Sequence, residues 1–368
     1  HASDALAASG VKLAVREGAL VVTPDALRTR AGGAYRVFTP FHRSWLEQVR
    51  PENPQPAPER IAAPERWPSG ADLPATPATA PDIGAHWDPS EPAAAQRLAR
   101  FVGGTLAGYP GAHDRVDLDG TSQLSPYLTN GEISVRRVVH AVNTALLGQP
   151  ERSAARAAAD AFVRQIAWRE FAYHVLADAP TLPEVPLRAE FAAMPWQDDP
   201  AGLAAWRAGH TGYPMVDAGM RQLAETGWMH NRARMIVGSF LAKDLLVGWQ
   251  AGERHFWDLL ADADAALNAF NWQWVAGSGA DASPYFRIFN PVLQGTKFDP
   301  DGSYVRRWVP ELAGLPTRWI HAPHEAPSDA LRAAGVRPGT TYPRPVVDHA
   351  VARERALAAY DVVKAAKG

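Results

Sequence analysis

The chain has 368 residues, of which 46% are hydrophobic and 21% charged, enough to bury a sizeable core in one large or two ordinary domains. Its formal net charge of −2 announces no nucleic-acid partner globally, although a local basic groove suffices to hold phosphates. The absence of cysteine removes disulfides, thiol nucleophiles and Cys-based metal sites and makes a reducing cytoplasm the expected compartment, and no apolar run of about 18 residues provides a membrane span.

The N-terminus, His1-Ala2-Ser3, has neither a basic region nor an apolar signal core. It also lacks Met, so the chain is expected to start partway through a longer product. Residues 11–22 read as short β segments, Val-Lys-Leu-Ala-Val and, after a Glu-Gly turn, Ala-Leu-Val-Val. Two short strands alone are marginal, so residues 1–50 are expected to be the end of an α/β unit whose earlier strands are missing. Residues 40–49, with Phe41, Trp45 and Leu46, read as a short helix. Residues 51–92 hold eleven of the 32 prolines and are expected to form an irregular surface connector. From there on the pattern is helical. Apolar residues recur at helical spacing over 93–102, 135–147, 153–176, 201–208, 214–225, 230–248 and 252–260, and 347–364 is Ala-rich and amphipathic. The fold class is therefore mainly α, with one all-helical domain over 93–368. No internal repeat is visible.

Four constellations carry chemistry. In Gly120-Thr121-Ser122-Gln123-Leu124-Ser125-Pro126, two small hydroxyls and exposed amides near a helix start make a phosphate cradle or, alternatively, an ordinary helix cap. Between Phe162 and Phe171, the side chains of Phe162, Gln165 and Trp168 share one helical face. Such a stripe suits a flat heterocycle, stacked on rings and bonded at its edge by the amide, and it equally suits a packed core. In Trp228-Met229-His230-Asn231-Arg232-Ala233-Arg234-Met235, Asn231, Arg234 and Met235 share a face. Asn can bond a base edge through both amide functions, Met suits irregular apolar surfaces, and Arg232 and Arg234 can pair with phosphates or carboxylates. A solvated basic face is the alternative, but Ile236, Val237, Phe240 and Leu241 follow directly, so the helix is expected to be buried and its charges to need partners. From Asp262 to Trp274, two aspartates, Asn268 and two tryptophans interrupt an apolar stretch. An Asp here can offset Arg234 and accept from a ligand, and capping is the alternative for Asp262. No His or Glu completes a ligand set, so no metal is expected.

These segments, in this order and followed by Asp281-Ala282-Ser283-Pro284-Tyr285-Phe286-Arg287-Ile288-Phe289-Asn290-Pro291, resemble the cryptochrome/photolyase family, most closely its bacterial class I-type cyclobutane-dimer branch. The resemblance runs from about residue 38 to the C-terminus. It implies that residues 1–50 are the remnant of an antenna domain and 93–368 the helical FAD-binding domain. It also implies an FAD folded into a U and active when reduced, with a second antenna chromophore of unknown kind in a full-length form. Tyr109, Thr121, Ser122, Gln123, Leu124 and Ser125 would hold its phosphates and nearby sugar, and Phe162 would contact it. Asp262 and Asp264 would bind the ribose and flavin side, with Arg234 paired to Asp262, and Asn268 would face flavin N5. The amide at Asn268, where plant cryptochromes have Asp and animal ones Cys, suits a reduced flavin and repair rather than signalling. Trp272, Trp249 and Trp196 would relay electrons from the surface to the flavin. Gln165, Trp168, Arg169, Asn231, Arg232, Met235, Trp274 and Arg287 would hold UV-damaged DNA, and a monomer is expected. Asn231 and Met235 stand where (6-4) photolyases carry the histidines that their proton transfer needs, which favours cyclobutane dimers. Four places depart from the pattern. Gln165 replaces the usual Glu, Gln123 a commoner basic residue, His113 a DNA-contacting Arg, and Ala269-Phe270-Asn271 an Asn-Gly-Gly run. A cryptochrome-type photoreceptor and a (6-4) photolyase are the alternatives.

Overall fold

The computed structural model describes residues 18–49, 82–282 and 286–367, with isolated positions among 6–13 and 55–60. Among these residues the molecule is helical and holds no strand, only an isolated bridge between Pro338 and Tyr342. The helices used below are α1 (Phe38–Gln48), α2 (Glu91–Arg100), α3 (Ser125–Asn130), α4 (Val135–Ala145), α5 (Ala154–Asp178), α6 (Pro200–Ala208), α7 (Pro214–Thr226), α8 (Asn231–Ser239), α9 (Trp249–Leu259), α10 (Ala265–Ala276), α11 (Pro291–Phe298), α12 (Ser303–Trp308), α13 (Ser328–Ala333) and α14 (His349–Ala365). Most of the connector expected over 51–92 lies outside the described residues. Where it ends, Ser90 caps α2 by accepting from the Ala93 amide at 3.3 Å.

Helix starts follow the chemistry of their caps. Ser134, Ser153 and Asp348 precede α4, α5 and α14, and each side chain accepts an amide of the first turn, which satisfies one of the donors a helix N-terminus leaves open. The burial pattern is the one read from spacing. Val135, Val138, Val139 and Val142 line the inner face of α4, and Phe38, Phe41 and Trp45 that of α1.

Two expectations fail. The first of the strands expected over 11–22 lies mostly outside the described residues, but the second, over 19–22, is no strand. Its backbone is satisfied by side chains of α4 and α5. The Val21 and Val22 amides donate to the two oxygens of Glu170, at 3.1 Å for Val22. Arg136 donates to the Val21 carbonyl at 3.0 Å, and His174 Nε2 lies 2.9 Å from the Val22 carbonyl. A buried backbone needs partners but not a ladder. The helix expected over 230–248 stops at Ser239, passes through a π turn over Phe240–Asp244, and ends where Leu246 takes a left-handed φ of 56°. The apolar pattern continues through this bend because the segment stays buried. α9 accordingly begins at Trp249 rather than at 252.

The core has two main apolar clusters. One gathers α1, α2, α4 and α5, with Phe41, Trp45, Phe162 and Phe171. The other gathers α6, α7, α8, α9 and α12, with Trp206, Phe240, Trp249 and Trp308. α10 belongs to both. Ala266, Ala269 and Phe270 enter the first cluster, and Trp272 and Ala276 the second. Buried along most of its length, α10 is the element on which the two halves meet.

Candidate functional site

A cavity of about 420 Å³ opens against α10, between α5 and α8. Its lining is graded by exposure. The amides of Gln165, Asn231 and Asn271 stand exposed at the mouth, Trp168, Met235 and Trp274 are half-buried along the walls, and Asn268, Trp272 and Asp262 are buried at the floor. Aromatic walls with a few convergent polar groups are what a flat, heteroatom-rich ligand requires.

On α5, Gln165, Trp168 and Arg169 line the cavity. Trp168 is held from behind, its indole stacked on Phe38 of α1 at 3.6 Å and 5°, with Phe270 at 6.3 Å. Phe162, expected on the same face, is a core residue instead, with Phe101 at 4.5 Å and Tyr109 at 5.5 Å. Arg169 is 7% exposed and faces inward. It donates to the Ala19 carbonyl at 2.6 Å and to the Tyr173 hydroxyl at 3.3 Å, and its Nε has no partner among the described residues.

On α8, Asn231, Arg234 and Met235 line the cavity as one face. Arg234 clamps Asp262 at 2.8 and 3.0 Å and donates from Nε to the Met229 carbonyl at 2.8 Å. The sequence asked for a partner to this buried charge, and Asp262 supplies it. Arg232 turns away to Asp114 at 2.6 Å and lies over the Phe298 ring. His230 caps the helix through Nδ1, at 3.1 Å from the Arg232 amide. Burial lowers its pKa to about 4, Arg232, Arg234 and His113 adding to the shift and Asp114 opposing it.

On α10, Asn268 and Trp272 reach the floor. Asn268 Nδ2 donates to the Glu253 carbonyl at 2.9 Å and to Glu253 Oε1 at 2.8 Å, which leaves its Oδ1 for the cavity. Burial pushes the Glu253 carboxyl up, while the bond from Asn268 opposes the shift. Asp264 caps α10, accepting the Leu267 amide at 2.9 Å, and also accepts from the Tyr173 hydroxyl.

Of the loop over 120–125, only Ser125 reaches the cavity, beside Trp228, whose Nε1 donates to Ser125 Oγ at 3.3 Å. Gly120 lies so close to the turn over Tyr109–Ala112 that a Cβ would fall 2.6 Å from the Ala112 carbonyl. Gln123, at φ 49°, bonds Arg97 and Asp119, each at 2.8 Å. Ser122 Oγ accepts the Leu124 amide at 3.4 Å, and Leu124 is buried. Thr121 is half-buried at the centre of this loop. Tyr109 is buried, stacked on His113 at 4.9 Å, and burial holds its hydroxyl protonated.

Of the three tryptophans, Trp272 and Trp249 are buried and Trp196 is half-buried, and the rings packed on Trp272 are Phe256 at 5.0 Å and Trp206 at 6.1 Å. A Cβ on Gly252 would fall 2.2 Å from the Trp272 ring, so the α9 backbone lies against that indole. Trp249 begins the same helix one turn earlier, and a Cβ on Gly248 would lie 3.8 Å from half-buried Trp196. Arg287 is exposed and shares a small concavity with Trp274. Glu253, Tyr173 and Phe38 escaped the sequence reading because their partners are distant in the chain. Among the described residues no group of three His, Asp or Glu could hold a metal, and no helix is long and apolar enough to cross a membrane.

Residues 162–362 match the family model described as the FAD binding domain of DNA photolyase, and residues 1–59 match the model described as DNA photolyase. The chain is 51% identical over 353 residues to a deoxyribodipyrimidine photo-lyase of Agrobacterium fabrum, covering 94% of this chain and 73% of that protein. A solved structure of a bacterial class III photolyase from Agrobacterium tumefaciens superposes with a TM-score of 0.90 at 49% identity, covering 99% of this chain and 76% of that one. A Synechocystis cryptochrome structure superposes with a TM-score of 0.80 at 29% identity, covering 98% and 75%.

Proposed function

The chain belongs to the photolyase/cryptochrome family, and from that premise we propose that it repairs cyclobutane pyrimidine dimers in UV-damaged DNA with light and reduced FAD. One observation carries this reading. A single cavity has base-reading amides and aromatic walls at its mouth, and the Asn268, Trp272 and Arg234–Asp262 group at its floor. A signalling flavoprotein needs the floor but not the mouth.

The residues present fit FAD. Asp262 is fixed by Arg234, the orphan Nε of Arg169 awaits an acceptor, and Gly120 lets the loop of Thr121 and Ser125 close on its neighbour without a side chain in the way. In this reading that loop and Tyr109 hold the phosphate side, Asp262 and Asp264 the ribose and flavin side, and Asn268 the flavin N5 edge. When bound and reduced, FAD supplies an electron under light and recovers it after the dimer's ring bonds have split. The chain's own work is to grip, orient and dry the site. Trp168 and Trp274 sandwich the dimer, and Gln165 and Asn231 bond its base edges. Met235 packs against the cyclobutane, and Arg287 contacts phosphate at the rim. Photolyases are base-flipping enzymes, so the dimer would leave the duplex to enter the cavity. Trp272, Trp249 and Trp196 serve as the relay that reduces oxidised cofactor. The helical body over 93–368 is the catalytic unit in this reading, and residues 1–50 belong to the antenna side.

The test is illumination of the FAD-loaded, reduced protein with an oligonucleotide containing one thymine dimer, read by recovery of the intact strand. Dark controls and a (6-4) lesion complete the set. Repair of the cyclobutane lesion alone supports the proposal. Flavin photochemistry with no repair of either lesion would favour a cryptochrome-type photoreceptor, the reading that the Synechocystis structure keeps open.

A further inference from the structure

We propose that Tyr173 is a positioning residue for the cofactor, holding the Asp264 carboxylate and tying it through Arg169 to the N-terminal segment at Ala19. The inference rests on the reading that Asp264 binds FAD.

The chain of contacts is continuous. Arg169 Nη1 donates to the Ala19 carbonyl at 2.6 Å, and Nη2 donates to the Tyr173 hydroxyl oxygen at 3.3 Å. With its oxygen occupied as an acceptor, that hydroxyl sends its proton to Asp264 Oδ2. The other carboxylate oxygen, Oδ1, accepts the Leu267 amide and so starts α10. Arg169 also lies over the Tyr173 ring at 4.8 Å. Burial and the Asp264 charge both raise the phenol's pKa, so Tyr173 remains a donor at any physiological pH. Arg169 lines the cavity with an unpartnered Nε. A ligand there therefore meets a cation whose other two arms reach Ala19 and, through Tyr173, the cap of the helix that carries Asn268. Residues 19–22 are docked on α5 beside this chain by the Glu170 carboxylate. Occupancy of the cofactor site and docking of the N-terminal segment are thus coupled.

Tyr173→Phe removes one hydroxyl and keeps the ring under the guanidinium. Losing a bond to a charged acceptor should raise the FAD dissociation constant about tenfold, read by flavin fluorescence on titration. The melting temperature of the cofactor-free protein should stay close to wild type. In the wild-type chain, FAD should slow hydrogen exchange at the Val21 and Val22 amides several-fold. Unchanged FAD affinity in Tyr173→Phe would overturn the inference, as would a lowered melting temperature with affinity intact, which marks a purely structural residue. If Tyr173→Phe fails to fold, the wild-type exchange experiment decides alone, and exchange indifferent to FAD sinks the coupling. A wild-type chain that bound no FAD would remove the functional reading itself, a result distinct from equal binding by both forms.

Discussion

Asn268 takes its orientation from one neighbour. Because both bonds from Nδ2 go to Glu253, the atom offered to the cavity is a carbonyl oxygen, which accepts from an N–H and repels a bare lone pair. Flavin N5 carries a proton only when reduced, so in the proposed reading, with Asn268 at the N5 edge, this arrangement would favour the reduced cofactor. Glu253→Leu removes the side-chain bond and leaves the one to the backbone carbonyl, so the amide is held less firmly, and the expected result is faster reoxidation of reduced FAD in air, followed by absorbance. Gln165 argues at the same scale. A neutral amide at the mouth can donate to a carbonyl of the proposed substrate but lacks the charge-assisted bond of a carboxylate, worth about 1 kcal/mol more. Gln165→Glu should raise repair per absorbed photon with little change in the DNA dissociation constant; an unchanged or lower yield would move weight to the (6-4) or signalling readings. Trp272→Phe should abolish photoreduction of oxidised FAD while sparing repair by chemically reduced protein, since relay and repair use different electrons. Gln165, Trp168, Asn231 and Met235 were readable in the chain because each sits in a local motif with helical spacing. Glu253 and Tyr173 were not, because their partners stand 15 and 91 residues away.

Elements were readable to the extent that they are amphipathic. α4 has one wet face and follows the expected bounds within two residues, whereas α10 surfaces only at Ala265 and Asn271, and its sequence showed polar interruptions but no helical period. The end of α8 was misplaced because periodicity records burial and is blind to a π turn. That helix also carries a pH dependence. His230 is 3% exposed, and burial lowers its pKa from 6.5 to about 4. The unfolded chain takes up this proton first on acidification, so stability is full above about pH 6.5 and is lost as pH falls toward 4. The loss at this site amounts to roughly 3 kcal/mol at most. His230→Asn keeps an N-cap acceptor and removes the titration. Its urea midpoint should therefore fall less than that of wild type between pH 6.5 and 4.5, and parallel profiles would show that another group governs the acid limb.

For the whole molecule, the net charge of −2 conceals local asymmetry. Exposed Arg164 stands on α5, which borders the cavity, and exposed Arg287 borders the small concavity that Trp274 shares, while Arg232 is neutralised by Asp114. Binding of dimer-containing DNA should therefore weaken steeply with salt, and Arg287→Ala should reduce the log–log slope by about one. A slope near zero for wild type would remove DNA phosphates from the account. The family resemblance read from the motifs pointed to a class I-type enzyme, and the similar solved structure at 49% identity is a class III photolyase. The membership of α10 in both apolar clusters has a thermodynamic corollary. Neither half can melt and leave the other intact, because each would lose the helix that completes its interior. The helical body is thus expected to unfold as one cooperative unit, and a cofactor held against that helix would be released with it; coincident thermal transitions by flavin fluorescence and far-UV circular dichroism check this.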